Sequence, residues 1–413
     1  MSSKHFRSVI SVMMVMFFMA GVIVSSSAAQ QTKTKMITIG TIMPVSGPQG
    51  AIGLAWDRGW ELATDYVNGK GGINIGGQKY TVKLIQEDGK ASPEACSAAV
   101  NKLVYQDKVD VVLGELMEND SQAIYKILME AGKFHWLACA TNPPPLGPWG
   151  AKKEIPYLAL MCPGPHVGFP GLFAYVKQAY PKAKKVVTTD NTYSHEPVIE
   201  YTKKELVKLG FEVLGVERFD LAATDQYPFA TSVLKHKPDY VNIAMCSPDQ
   251  EGAIIKALRE QGFSGPISSA NPVAPTYPMT IAGPDKAHDI ICLSPYAMGD
   301  DVPQLMKGVV KAWKAKWSEE FSADSLMAYD EILAIQAIFE KANTSDIISN
   351  RDLIMKTLES MTKRGDAMTT SGPGWFGGLK TIGANRWLLR PFTVSLLKDG
   401  KIKNVKWIDP VFP

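Results

Sequence analysis

The chain has 413 residues, with 44 Lys and Arg against 41 Asp and Glu, a formal net charge of +3 and 46% hydrophobic residues. So even a balance gives no support to nucleic-acid binding or to a polybasic membrane surface. Beyond one run near the N-terminus, no stretch is apolar for long enough to span a bilayer.

That run comes first in chain order. Lys4 and Arg7 precede Val9 to Val24, an almost uncharged apolar segment, and "SSSAAQQ" then offers small residues for cleavage after Ala29. This is the anatomy of a secretory signal peptide, expected over 1–29 and directing export to the periplasm. The segment falls short of the ~20 residues of a spanning helix, and no cysteine before Cys96 provides a lipid anchor. About 380 residues remain, room for two domains, and the loss of Lys4 and Arg7 takes the charge to +1.

The mature chain alternates strands and helices. "MITIGTI" is a strand that breaks at "PVSGPQG" and restarts as a helix, with Ile52, Ala55, Trp56, Gly59, Ala63, Tyr66 and Val67 at helical spacing. "NGKGGINIGG" follows a helix and precedes the strand "KYTVKLIQED", so its glycines read as turn chemistry rather than a dinucleotide loop. Ser92 and Pro93 open the next helix as N-cap and first residue. "VDVVLGE" is a strand, a helix closes on Gly132, and "KFHWLACA" and "PYLALMC" are further strands. Then the pattern restarts: "AKKVVTTD", a helix closing on Gly210, "FEVLGVERF", a helix over "DQYPFATSVLKHK", "PDYVNIAMC", a helix closing on Gly262, "PISSA" and "DIICLSPY".

"EDGKASPEACSAAVNKLVYQDKVDVVLG" lines up with "FDLAATDQYPFATSVLKHKPDYVNIAM" as the same α/β lobe built twice. After Tyr296 come three helices, a glycine-rich turn "TSGPGWFGG", and a hairpin signalled at Asp399-Gly400. The expected fold class is α/β: two doubly wound parallel-sheet lobes joined by a hinge that the chain crosses more than once. The expected boundaries are 36–163 plus 297–389 for the first lobe, and 164–296 plus 390–413 for the second. Ligands of such sheets sit beyond the carboxyl ends of the strands.

Five cysteines, Cys96, Cys139, Cys162, Cys246 and Cys292, show no C-x-x-C and no Cys/His cluster, which argues against structural zinc. Cys139 and Cys162 each end an apolar run. They are the pair best placed for a disulfide if those runs are neighbouring strands, free buried thiols being the alternative. There is no G-x-S-x-G elbow, no H-E-x-x-H and no phosphate loop. "SVLK" (Ser232 to Lys235) matches S-x-x-K but lies inside an amphipathic helix. Glu118 and Asp120 form a carboxylate pair with no evident means of holding both on a substrate. What remains is six polar strand-end loops with hydroxyls, amides and aromatics, suited to a polar small molecule. No catalytic residue, cofactor or metal is expected.

"ITIGTIMPVSGPQGAIGLAWDRGWELATDYVNGKGGI", "SPEACSAAVNKLVYQDKVDVVLG", "DNTYS", "CSPDQEG", "MAYDEILAIQAI" and "SGPGWF" occur in an order that resembles one family. It is the leucine-binding-protein-like solute-binding proteins of branched-chain amino acid ABC transporters, with a type I periplasmic binding fold. The resemblance covers essentially the whole mature chain. It implies a monomeric periplasmic protein that binds a small-molecule solute, hands it to a membrane permease, and has no enzymatic activity.

Ser46 then lies in a wall of the solute cleft. The family's carboxylate-binding loops correspond to Glu118–Ser121, including Ser121, and to Ala140–Asn142, including Thr141 and Asn142. Tyr193, beside Asn191, matches a tyrosine that covers the ligand. Two positions depart from the family's pattern. Asn271 stands where an acid usually pairs with the ammonium, and Glu118 where a small hydroxyl residue is common. A solute carboxylate beside Glu118 is repelled unless Glu118 turns away or is protonated. Both departures weigh against a plain α-amino acid and leave an aromatic acid or amide open, with Trp56 and the "PPPLGPWG" insert offering an apolar wall. The family's usual first-lobe disulfide has Cys96 displaced and Met117 in its partner's place. A ligand-binding sensor on the same fold is the alternative reading.

Overall fold

Strands whose side chains face helices on both sides, and helices with one apolar face, fold here into two sheets. The computed structural model describes residues 35–47, 49–115, 118–137, 157–161, 165–192, 196–220, 223–244, 246, 248–269, 276–297, 301–398 and 401–410. The signal peptide expected over 1–29, and the Cys139–Cys162 pair, lie outside them. Among the described residues no helix is long and apolar enough to cross a membrane.

In chain order, β1 (Lys35–Met43) leads to α1 (Gly50–Gly69), β2 (Ile73–Ile75) and β3 (Gln78–Asp88). Next come α2 (Pro93–Asn101), extended by a π-helical turn at Lys102–Gln106, then β4 (Val111–Leu113), α3 (Glu118–Glu130), β5 (Phe134–Leu137) and β6 (Leu158–Leu160). The segment α4 (Pro165–Ala179), β7 (Lys185–Asn191), α5 (Glu196–Lys208), β8 (Glu212–Phe219), α6 (Tyr227–Lys235) and β9 (Tyr240–Ile243) follows. It continues through α7 (Pro248–Glu260), β10 (Ile267–Ser269), α8 (Thr276–Ala282) and β11 (Ile290–Ser294). Three helices, α9 (Gln304–Lys316), α10 (Asp324–Ala342) and α11 (Arg351–Ser360), precede β12 (Ala367–Thr369) and β13 (Gly372–Gly377). The short α12 (Leu379–Ile382), β14 (Trp387–Leu389), β15 (Phe392–Lys398) and β16 (Lys401–Ile408) complete the chain.

The first sheet runs β12-β13-β14-β6-β5-β4-β1-β3-β2, and the second β16-β15-β11-β10-β9-β7-β8. Aligning β1, β3, β4, β5 and β6 with β7, β8, β9, β10 and β11 gives one doubly wound order twice. The two stretches that line up in the sequence are the equivalent β3–α2–β4 and β8–α6–β9 units. The chain passes between sheets three times, after β6, β11 and β14.

The doubly wound parallel sheets expected from sequence are present, with antiparallel strands added at their edges. The centres are parallel, as in β1–β4–β5–β6 and β8–β7–β9–β10–β11. The β2–β3, β12–β13–β14 and β11–β15–β16 pairs are antiparallel. The reason is connection length: a tight turn such as Gly76-Gly77, with φ of 60° and 82°, can only fold a strand back on its neighbour.

The glycine closures expected from sequence hold, with φ of 62° at Gly132, 79° at Gly210 and 92° at Gly262. "TSGPGWFGG" does not hold as a turn, because most of it is β13. A Cβ at Gly374 would lie 2.6 Å from the Thr369 Cγ2 and 2.9 Å from the Leu389 carbonyl oxygen, so glycine there serves close strand packing.

Cores lie on both faces of each sheet. On one face of the first sheet, α1 packs on α10, and a Cβ at Gly59 would come within 2.3 Å of the Ser325 carbonyl oxygen. Trp56 and Trp60 are fully buried, edge to face at 5.8 Å. Trp60 Nε1 donates to Glu331 Oε2 at 2.6 Å. At roughly 25 cal/mol per Å² over about 200 Å², each ring contributes up to about 5 kcal/mol. Trp56 is therefore a core residue and not an exposed aromatic wall. On the opposite face, Ile42, Val100, Leu103, Val112, Ile124 and Leu128 form the core under α2 and α3.

Candidate functional site

The carboxyl ends of β1, β3 and β4 converge because β1 sits between the other two. The chain leaves β1 through Pro44 to Gly47, and Asp88, at the end of β3, organises that turn. Its carboxylate accepts from Val45 N at 3.1 Å, Ser46 Oγ at 2.6 Å and Lys90 N at 2.9 Å. Desolvation works to raise this carboxyl, but the bonds from Ser46, Lys90 and Val45 outweigh it and hold it below its ordinary value. A Cβ at Gly53 would lie 2.2 Å from the Pro44 carbonyl oxygen, so the start of α1 can press against the turn only with glycine there.

Ser46 is exposed, with its hydroxyl committed as a donor to Asp88. Glu118 is the first residue of α3, beyond the end of β4, and Ser121 lies one turn in, 4% exposed. Ser46, Glu118 and Ser121 thus stand at neighbouring strand ends, at the point where the strand order reverses. Asn191, the last residue of β7, holds the equivalent place on the second sheet and is 8% exposed. Thr141, Asn142, Tyr193 and Asn271 lie outside the described residues, as do Met117 and the "PPPLGPWG" insert.

Behind the first-sheet strand ends is a group that the sequence did not disclose. Cys96, in the first turn of α2, donates from Sγ to Glu115 Oε2 at 3.1 Å and to the Gly89 carbonyl oxygen at 3.4 Å. Asp120 joins them, and one ligand atom from each of the three residues lies within 4.8 Å of the others. Burial and then the Glu115 and Asp120 charges push the Cys96 thiol well up. Burial and the Glu94 charge raise the Asp120 carboxyl to about 6. His135, from β5, turns Nε2 to the Gly114 carbonyl oxygen, and burial lowers it to about 4. Spacing hides this group because Cys96, in α2, lies about twenty residues before Glu115 and Asp120, which flank the start of α3. Asp88 was open to view as an acid at a strand end before a glycine.

The second sheet carries a neutral counterpart. Tyr240 OH donates to Ser268 Oγ, Ser268 Oγ to Asn242 Oδ1 at 2.7 Å, and Asn242 Nδ2 to Thr188 Oγ1 at 2.9 Å. Register places these residues side by side on β7, β9 and β10. In α6, Ser232 donates to Glu217 at 2.7 Å, and His236 lies 2.7 Å from the same carboxylate. The serine of the S-x-x-K match therefore gives its hydroxyl proton to Glu217.

The crossings between sheets are tied by polar contacts. Arg390, after β14, donates to Asp330 of α10 and to the Leu326 carbonyl oxygen, while Thr370 N and Oγ1 donate to the same carboxylate. Burial raises Asp330 to about 6 against the pull of Arg390 and Thr370. Ser371 Oγ donates to the Pro295 carbonyl oxygen at 3.2 Å. Thr393 Oγ1 lies 3.0 Å from the carbonyl oxygens of both Ser294 and Tyr296.

Two doubly wound sheets of one strand order, crossed three times by the chain and bearing polar strand ends, define a type I periplasmic-binding fold. The chain belongs to the family described as periplasmic binding protein, whose model matches residues 36–393, and membership implies an extracytoplasmic location and a small-molecule ligand. An amino acid binding protein of Pseudomonas aeruginosa is 26% identical over 315 residues, covering 75% of this chain and 80% of the relative. The Leu/Ile/Val-binding protein homolog 1 of Brucella melitensis is 25% identical over 252 residues, 60% of this chain and 64% of the relative.

Among solved structures, the branched-chain amino acid transporter substrate-binding protein LivJ of Streptococcus pneumoniae, in complex with isoleucine, superposes with a TM-score of 0.72. Identity is 21%, and the match covers 91% of this chain and 100% of that one. A solute-binding protein of an ABC transporter from R. palustris, in complex with benzoate, also gives 0.72, at 19% identity over 92% and 98% of the chains.

Proposed function

We propose that this chain is the extracytoplasmic solute-binding component of an ABC uptake transporter, closing two lobes on a small polar solute for delivery to a membrane permease. The observation that carries the reading is the repeated sheet order with three chain crossings, which sets two rows of polar strand ends on bodies joined by a hinge. The lobes are 36–163 plus 297–389 and 164–296 plus 390–413. The first offers Ser46, Glu118, Ser121, Thr141 and Asn142 to the solute, and the second Asn191, Tyr193 and Asn271. A solute that touches both favours the closed form by its differential affinity. The protein acts as a monomer, reaches the periplasm through residues 1–29, and catalyses no reaction.

The solute is an amino acid or a related small carboxylate. A second reading, an aromatic acid or amide, is favoured by solved neighbours of equal TM-score, 0.72, that hold isoleucine in one case and benzoate in the other. A thermal-shift screen of ligand-stripped protein against amino acids, aromatic acids and small amides separates the two. Ligand at 100 times its Kd adds about 2.7 kcal/mol of stability. A screen in which no such solute raises the melting temperature overturns the reading. Tyr193→Ala should weaken binding of the active solute and leave the melting temperature of the ligand-free protein unchanged. Unaltered affinity removes Tyr193 from the site.

A further inference from the structure

We propose that Cys96, Glu115 and Asp120 bind a single divalent cation of borderline softness, of which zinc is the type. The three donors come from the first turn of α2, the loop after β4 and the first turn of α3, so an ion there ties two strand-end loops together. Cys96 and Glu115 are fully buried and Asp120 is 3% exposed. One donor atom from each lies within 4.8 Å of the other two, and Cys96 Sγ is 3.1 Å from Glu115 Oε2. Around a tetrahedral zinc, with bonds of about 2.3 Å to sulfur and 2.0–2.2 Å to oxygen, donor atoms lie about 3.5 Å apart. The group is thus near ligating geometry.

Asp120 Oδ2 is buried and has no hydrogen-bond partner. A carboxylate oxygen in that position is costly unless something positive meets it. The charges that bear most on Cys96 and Asp120 are themselves negative, from Glu115, Asp120 and Glu94. Two buried acids and a thiol set against one another are the inverse of a salt bridge, and a divalent ion is what neutralises them.

Gly89 leaves the room. A Cβ there would lie 2.7 Å from both Cys96 Sγ and Glu115 Oε2. The mixed sulfur and oxygen set selects against magnesium and calcium, which take oxygen alone, and suits zinc or cobalt. On binding, the ion replaces the thiol proton, which leaves to solvent. None of the three ligands is a residue assigned to the solute, although Asp120 lies between Glu118 and Ser121, so the ion is tested by metal titration in the absence of any solute.

The test uses the full mature chain, stripped with a chelator and titrated with cobalt(II) and with zinc. Cobalt should bind one per chain and give a thiolate-to-cobalt charge-transfer band in the near ultraviolet. Cys96→Ser should abolish the band. Asp120→Asn should weaken zinc binding at least about tenfold, the least that even an outer partner of a metal ligand costs. Should Cys96→Ser fail to fold, Asp120→Asn carries the test by calorimetry. The proposal is overturned by no band in the parent protein, by a band that survives Cys96→Ser, or by zinc affinity unchanged in Asp120→Asn. Each marks the group as a protonated, metal-free cluster or the ion as bound elsewhere.

Discussion

The two sheets share a strand order, and two buried polar groups, one on each, are put together in opposite ways. On the second, Thr188, Asn242, Ser268 and Tyr240 form a neutral chain in which each donor meets an acceptor. On the first, the Glu115 and Asp120 carboxyls crowd around the Cys96 thiol, and Asp120 Oδ2 meets no partner. A satisfied network rigidifies a core at little net cost, whereas a half-satisfied one is destabilising and persists where function retains it. The difference teaches that topology copies the scaffold while strand-end chemistry diverges freely upon it.

If satisfaction is what separates the two, cutting a paired group must cost stability and neutralising an unpaired one must not. The largest loss is expected at Asp330→Ala, which strands the buried Arg390 guanidinium and costs about 3–5 kcal/mol in chemical denaturation. A smaller loss would place the hinge pair outside the cooperative core.

Next comes an effect of opposite sign. Burial, opposed by a hydrogen bond with Gln86 and reinforced by the Asp88 and Glu61 charges, raises the Asp57 carboxyl from 3.8 to about 7. Its Oδ1 has no partner. Between these two values the unfolded chain has released a proton that the folded chain retains, so stability falls as pH rises through the window. Asp57→Asn should therefore stabilise the protein at pH above about 7, by up to about 4 kcal/mol, and leave its stability at a pH of about 4 unchanged. Melting curves across pH read this directly, and a variant destabilised at every pH contradicts it.

Within the satisfied ladder the effects shrink. Asn242→Ala removes the group that bonds both Thr188 and Ser268 and should cost about 2–3 kcal/mol. Tyr240→Phe removes only the terminal hydroxyl and should cost about 1 kcal/mol. Equal losses for the two, measured by urea denaturation, would mean that the ladder is not a connected network.

Much of the scaffold was legible because the signals are local. Ser92 accepts from Ala95 N at 3.4 Å as the N-cap, with Pro93 inside the helix start. The internal repeat corresponds to equivalent units of both sheets. The helix α4 is not legible in the sequence because Pro165, Gly168, Pro170 and Gly171 read as breakers. Yet a Cβ at Gly168 would lie 2.2 Å from Leu293 Cδ2, and one at Gly171 2.6 Å from Ile408 Cδ1. Those glycines are demanded by partners more than a hundred residues away, and no local propensity encodes such a partner. The candidate site was legible only as positions. Ser46, Glu118, Ser121 and Asn191 fall at strand ends as expected, but the Asp88 grip on Ser46 joins residues far apart in sequence.

By itself, then, the sequence determined most of the strands and helices, where many of them stop, and that the α/β lobe is built twice. Apolar periodicity, caps and left-handed glycines act over a few residues, so they survive in one dimension. Only the tertiary structure decided that β1 lies between β3 and β4. That order brings Cys96 of α2, Glu115 after β4 and Asp120 of α3 to one point, and buries them where water cannot repay their lost solvation.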